Sequence, residues 1–182
     1  MMISQPEQGL ENPLDAIAAT LHGRRSFLQL GGAGIAAAAI RPNRNGAGSG
    51  QSGKQRSTER LVRRLFDAVE SGSTSAIWDF FAPDGAIEFP FVGSRYTDFA
   101  SFDAAIGPLL AALRGLTFTD PDFQFLDDPE ALIAKYKGHA IVTFTGKAYD
   151  QTYITEIHTR NGKVTYYAEY FDTAVLNAAF TP

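Results

Sequence analysis

An α+β fold, with a curved antiparallel sheet wrapped around a long N-terminal helix, is what the last two-thirds of this sequence predict. Three observations carry the prediction. Between residues 58 and about 115 apolar side chains recur every three to four positions, the period of a helix. From Leu116 onward they alternate every second position, the period of a strand. Helices gathered first and strands gathered after them is the α+β arrangement, and 182 residues with 45% hydrophobic and 20% charged side chains suffice for one such domain plus an extra segment.

The elements follow in order. Thr58 stands ahead of Leu61, Val62, Leu65, Phe66 and Val69, which share one helix face, and Gly72 can end that helix. Thr74 can cap a second, short helix with Ile77, Trp78, Phe80 and Phe81 on its apolar side, closed by a Pro83-Asp84-Gly85 turn. Ala86 to Phe89 reads as a strand stopped at Pro90, since proline has no N–H for a ladder. Ser101 or Asp98 can cap a third helix bearing Phe102, Ile106, Leu109, Leu110 and Leu113, with Gly115 at its end. Gly107-Pro108 inside it predicts a kink or a split.

The strands begin with Leu116–Phe118 and Phe123–Phe125, interrupted at Pro121, then Leu132–Phe144 with a turn at Thr145-Gly146. Tyr149–Thr159 and Lys163–Phe171 are joined by Asn161-Gly162, a dipeptide suited to the positive φ angles of a type I′ hairpin turn. Long strands covered on one face by helices leave a conical hollow, which is where function is sought.

The first 57 residues are different in kind. They hold six Lys/Arg against three Asp/Glu, whereas residues 58–182 hold ten against seventeen, so a +3 segment precedes a −7 domain. Residues 1–40 have the layout of an export signal: Arg24-Arg25-Ser26-Phe27-Leu28 leads into the small, apolar run Leu30 to Ile40, followed by Arg41-Pro42. Eleven residues reach only about 16 Å as a helix, short of the roughly 30 Å of a bilayer core. The paired arginines resemble a twin-arginine translocation signal, with Gly23 and Gln29 departing from its usual residues, and imply a translocase partner and export to the periplasm or beyond. Ala37-Ala38-Ala39 is small enough for a signal peptidase but lies inside the apolar run, so the signal is either cleaved or kept as an anchor. Residues 41–57, rich in Gly and Ser, read as a flexible linker, and the domain spans 58–182.

Several chemistries drop out. Without cysteine there is no disulfide scaffold, thiolate nucleophile or Cys-bound metal. An acidic domain with scattered cations lacks a nucleic-acid footprint. No Gly-x-Ser-x-Gly elbow supports a serine triad, and no glycine loop sits between a strand and a helix to cradle phosphate. Asp120, Asp122, Asp127, Asp128 and Glu130 lack the spacing of a calcium loop and read as turn residues beside Pro121 and Pro129. His139 and His158 fall on the outward face by alternation, with Glu156 expected near His139.

Residues 68–72, the run Phe81-Ala82-Pro83-Asp84-Gly85-Ala86-Ile87-Glu88-Phe89-Pro90-Phe91, and the ending Asn161-Gly162-Lys163-Val164 with Ala168-Glu169-Tyr170-Phe171-Asp172 resemble the SnoaL-like polyketide cyclase group. That group belongs to the nuclear transport factor 2-like (cystatin-like) superfamily of cone-shaped α+β folds. The resemblance implies an inward-facing set of Tyr167, Glu169 and Phe171 on the last strand, Tyr153, Thr155 and Ile157 on the one before, and Tyr136, Gly138, Ala140 and Val142 on the long strand. It also implies dimerisation through the outer sheet face. Ketosteroid isomerase, in the same superfamily, places its base, its oxyanion-hole tyrosine and its second aspartate where this chain has Phe89, Leu65 and Thr155. A Phe cannot abstract a proton and a Leu cannot donate a hydrogen bond, so ketosteroid-isomerase chemistry is not expected.

Glu169 then remains as the carboxyl group inside an aromatic hollow, the setting that raises a glutamate toward the range of a general acid or base. The expected ligand contacts are Tyr167, Phe171, Tyr153, Thr155, Phe89, Trp78 and Tyr136. The structural alternative is that Glu169 is a satisfied acceptor of Arg60, Arg63 or a tyrosine hydroxyl. Two functions fit: binding of a small, apolar, oxygenated molecule with cofactor-independent lyase, isomerase or cyclase chemistry at Glu169, or a non-catalytic ligand-binding or assembly module. No metal or cofactor is called for by either.

Overall fold

The computed structural model describes residues 51–182; the expected signal over 1–40, with Arg24 and Arg25, and the linker as far as residue 50 lie outside the described residues. Helix α1 (Gly53–Glu70) starts five residues before Thr58, inside the stretch expected to be linker. The reason is a capping box. The Ser52 side chain accepts from the Gln55 N–H at 3.1 Å, and the Gln55 side chain accepts from the Ser52 N–H at 2.8 Å, which satisfies two otherwise orphaned donors. Thr58 is therefore a buried helical residue, its hydroxyl 3.3 Å from the Pro129 carbonyl.

Helix α2 (Thr74–Trp78) is capped by Ser73 rather than Thr74 and is only five residues long. Phe80 and Phe81 do not belong to it. Phe81 opens strand β1 (Phe81–Phe89), which runs through Pro83-Asp84-Gly85 as an irregularity in its register instead of turning there. Gly85 permits this: a Cβ would sit 2.9 Å from the carbonyl oxygens of Ala82 and Val164. Pro90 ends β1 as expected, and a 3₁₀ turn (Pro90–Val92) with Gly93 at φ +67° leads into the short β2 (Ser94–Tyr96), which pairs back on β1.

Asp98 caps helix α3 (Phe99–Ala112), accepting from the Ser101 N–H at 2.9 Å. The helix continues through Pro108, so the expected split does not occur, and it stops at Ala112, before Gly115. Gly115 lies instead within β3 (Leu113–Phe125), between residues where the pairing register slips. The break expected at Pro121 is a second slip in the same strand, with Asp120 at φ +54°. Strands β4 (Ala131–Val142), β5 (Ala148–Arg160) and β6 (Lys163–Phe171) follow, and the β5–β6 turn has Asn161 and Gly162 at φ +53° and +73°. A final helix, α4 (Thr173–Phe180), was not foreseen.

The six strands form one sheet in the order β2-β1-β6-β5-β4-β3. Neighbours are antiparallel except β1 and β6, which run parallel, so the sheet is mixed rather than wholly antiparallel. The reason is the long crossover from β1 to β6, which brings the last strand back beside the first in the same direction. Helix α1 lies against β3 and α4 against β5. The inward-facing set behaves as expected: Tyr136, Ala140, Val142, Tyr153, Thr155 and Ile157 are buried in one core with Val62, Leu65 and Phe66 of α1. No helix among the described residues is long and apolar enough to cross a membrane.

Candidate functional site

Between the helices and the concave sheet lies a cavity of ≈ 100 Å³. Leu65 and Val69 of α1, Ile106 and Leu109 of α3, and Phe89 and Tyr96 of the β1–β2 hairpin make up much of its wall. Alternation along β6 puts Tyr167, Glu169 and Phe171 on the cavity side, as the sequence leads one to expect. Polar groups are sparse. Besides tyrosine hydroxyls, only Ser94 and Glu169 contribute polar side chains, and no Lys, Arg or His lines the cavity.

Glu169 sits at the centre of a small hydrogen-bond network. Its Oε2 accepts from the Tyr136 hydroxyl at 2.8 Å and the Tyr167 hydroxyl at 2.6 Å. Tyr136 has a single proton, so when it donates to Glu169 the Thr155 hydroxyl, 3.0 Å away, acts as donor to Tyr136. The other carboxylate oxygen, Oε1, has no such partner. Among the described residues no buried side-chain oxygen or nitrogen is left unsatisfied, and Glu169 is only partly buried. Oε1 is therefore the oxygen left open to the cavity.

The electrostatics follow from burial. Removal from water pushes the Glu169 carboxyl above the usual glutamate value, while the bonds from Tyr167 and Tyr136 pull the other way. Burial, with the Glu169 charge beside them, drives Tyr136 and Tyr167 well above the ordinary phenol value, so both remain donors at any physiological pH. Tyr149, buried in the same wall, is pushed up to about 12. Neither arginine named as a partner reaches Glu169: Arg63 holds Glu59 at 2.7 Å and lies 4.8 Å over the Phe123 ring, and Arg60 is exposed.

The expected ligand contacts divide into two groups. Tyr167, Phe171, Tyr153 and Phe89 line the cavity, with Phe89 edge-on to Tyr96 and Phe171, each at 6.2 Å. Tyr136 and Thr155 do not line it; they reach it through Glu169. Trp78 is displaced as well. Ile77 takes the cavity side of α2, and Trp78 turns away to stack on Phe81 at 5.5 Å and pack on Phe102 at 5.4 Å. Leu65 and Phe89, two of the positions matched to ketosteroid isomerase, form apolar wall, and Thr155 lies buried beneath.

Ser94, Tyr96 and Val92, and Leu176 of α4, also line the cavity and carry no signal that periodicity could find, because β2 has three residues and α4 follows the last strand directly. On the outer face His139 contacts Asp150, its cross-strand partner, and not Glu156. Glu156 instead holds His158 at 2.7 Å. No cluster that could hold a metal is present among the described residues; Asp120 pairs with Lys137 at 3.3 Å and Glu130 with Lys54 at 2.7 Å.

Comparison with known proteins adds three findings. Residues 62–167 match the SnoaL-like domain family. A PhzA/B-like protein of Pseudomonas aeruginosa, itself uncharacterised, is 29% identical over 117 residues, covering 63% of this chain and 82% of its own. Among solved structures, a candidate isomerase of Bacillus subtilis is 24% identical with a TM-score of 0.63, covering 71% of this chain and 96% of its own. A candidate SnoaL-like polyketide cyclase of Jannaschia sp. CCS1 is 15% identical with the same TM-score, covering 74% and 99%. At these identities the two structures establish a shared fold.

Proposed function

The chain belongs to the SnoaL-like domain family, and from that membership and the setting of Glu169 we propose that it binds a small, largely apolar molecule and moves a proton on it at Glu169, as a cofactor-independent isomerase, lyase or cyclase. One observation carries the reading. Oε2 already accepts two phenol hydrogens, so any proton that Glu169 takes up sits on Oε1, the atom facing the cavity. A carboxyl group raised by burial and able to exchange its proton only toward a ligand suits general acid–base work. Tyr136 and Tyr167 orient the carboxyl, and Thr155 orients Tyr136. The apolar wall excludes water from the exchange.

Glu169→Gln keeps the shape and removes the proton. The variant is expected to give the circular dichroism spectrum of the native protein and to lose turnover of any substrate by at least about 100-fold, the lower range for a general acid or base. Turnover at the native rate would remove Glu169 from the catalytic role.

Two further features belong to this reading. Export rests on Arg24-Arg25 and the apolar run to Ile40. Replacing both arginines with lysine is expected to retain the protein in the cytoplasm, as seen by cell fractionation, and undiminished export would exclude the twin-arginine route. Homodimerisation through the outer sheet face rests on Ile154, 47% exposed and opposite Tyr170 across the strands, with Phe91, 67% exposed, packed edge-on to Tyr170 at 5.4 Å.

A further inference from the structure

We propose that the occupant of this cavity is a protonated amine with a small apolar body, its N–H directed at Oε1 of Glu169 and its carbon skeleton against the aromatic wall. The inference rests on the cavity and on Glu169 as read above, and it adds a ligand class. Four observations lead to it. First, the cavity has a single ionisable acid and no Lys, Arg or His on its wall, so an ionised Glu169 meets no counter-charge from the protein and an anionic ligand meets only repulsion. Second, Oε1 lacks a donor while Oε2 has two, which leaves a vacancy for one N–H or O–H of a ligand.

Third, the rings beside Glu169 suit a cation. Phe89, Tyr96 and Phe171 line the same cavity, and Phe89 is edge-on to both neighbours at 65°. Aromatic rings and a carboxylate lining one small space are the ingredients of sites that hold ammonium groups. Fourth, residues 58–182 carry ten Lys/Arg against seventeen Asp/Glu, and a net −7 domain concentrates cations around itself. Size sets a further bound. At ≈ 100 Å³ the cavity is smaller than the roughly 150 Å³ of an engineered cavity that takes up benzene, so a short branched chain fits it as it stands and a ring needs the wall to give or part of the ligand to stay outside.

Calorimetric titration of the full-length chain at pH 7.5 with benzylamine, benzyl alcohol and benzoate tests the class. Isobutylamine and isobutanol run alongside, so that ring size does not decide the result. Each amine is expected to bind at least about tenfold more tightly than its alcohol, the range of a partly desolvated cation–π and charge-assisted contact, with benzoate not binding. Glu169→Gln is expected to erase the tenfold preference and leave alcohol binding in place. A variant that fails to fold is replaced by a second readout on the native protein: the ¹³C shift of the Glu169 carboxyl should titrate at lower pH when benzylamine is bound and be unmoved by benzyl alcohol. Alcohols binding as well as amines, or an amine preference that survives in Glu169→Gln, overturns the amine class while the cavity reading stands. Failure of all five compounds to bind overturns both.

Discussion

Gly138 offers the sharpest test of how the cavity wall is packed. It lies in the middle of β4, pointing inward, and a Cβ placed on it would meet Cε2 of Tyr153 at 2.7 Å and two carbons of the Phe118 ring at 3.2 and 3.3 Å. Those rings have little room to retreat, since Tyr153 is stacked on Tyr136 at 5.0 Å and Phe118 is edge-on to Tyr153 at 5.7 Å. Gly138→Ala therefore forces a methyl group into a filled space, which costs about 1–3 kcal/mol. The alanine also restricts the unfolded chain, an offset of about 0.4–1 kcal/mol. The net expectation is a loss of about 0–2.6 kcal/mol, centred on about 1.3, which at that centre corresponds to a melting temperature lower by roughly 5 °C for a domain of this size.

Thermal denaturation followed by tyrosine and tryptophan fluorescence measures it. Gly53→Ala is the control. Gly53 opens α1 with nothing within 4 Å of its would-be Cβ, so the same substitution should be neutral or stabilising there. If Gly138→Ala melts well above the native temperature, the wall is looser than these distances say.

Two other predictions follow from the site and the outer face. Burial raises Glu169 in the folded state, so folding binds this proton more tightly than the unfolded chain does. The resulting stability is fully present below the ordinary glutamate range and is lost as pH rises through the raised value. The native protein should thus lose stability relative to Glu169→Gln across that window, measured as urea midpoints at successive pH values. Tyr136 and Tyr167, the groups facing Glu169, stay protonated throughout. Asp84, Asp98 and Glu59, held low chiefly by Arg160, Ser101 and Gln51, are common to both proteins and cancel. A constant difference from pH 4 to 9 would mean that Glu169 titrates normally. On the outer face, Ile154→Lys puts a cation beside Lys135, its cross-strand neighbour, and is expected to halve the mass seen by sedimentation equilibrium; a native protein that is already monomeric rules out the dimer.

What the sequence revealed and what it hid have physical causes. Strands β4 to β6 were legible almost to the residue because their inward positions are large and apolar and their turns need glycine or asparagine at positive φ, as at Asn161-Gly162 and Gly146. The same alternation located Tyr167, Glu169 and Phe171 on the cavity side. Trp78 was misplaced because aromatic bulk says nothing about which side of a five-residue helix is covered. Strand β1 was shortened because Pro83 and Gly85 look like a turn, and only the close approach of the Val164 carbonyl reveals that Gly85 sits within the strand. The start of α1 was obscured by its Gly- and Ser-rich composition, although Ser52 and Gln55 have the spacing of a capping box. The partners of Glu169 could not be chosen by pattern. Tyr136 is 33 positions away along the chain and meets it only after three strands have paired.

The parallel seam between β1 and β6 has a consequence for the order of assembly. Ala86 and Ile87 pair with Tyr166 and Tyr167, some eighty residues downstream, so the first hairpin has no neighbour on its inner edge until β6 has been synthesised. The strand that supplies this neighbour also bears Glu169. Covering the inner edge of β1 and bringing Glu169 to the cavity are therefore one event.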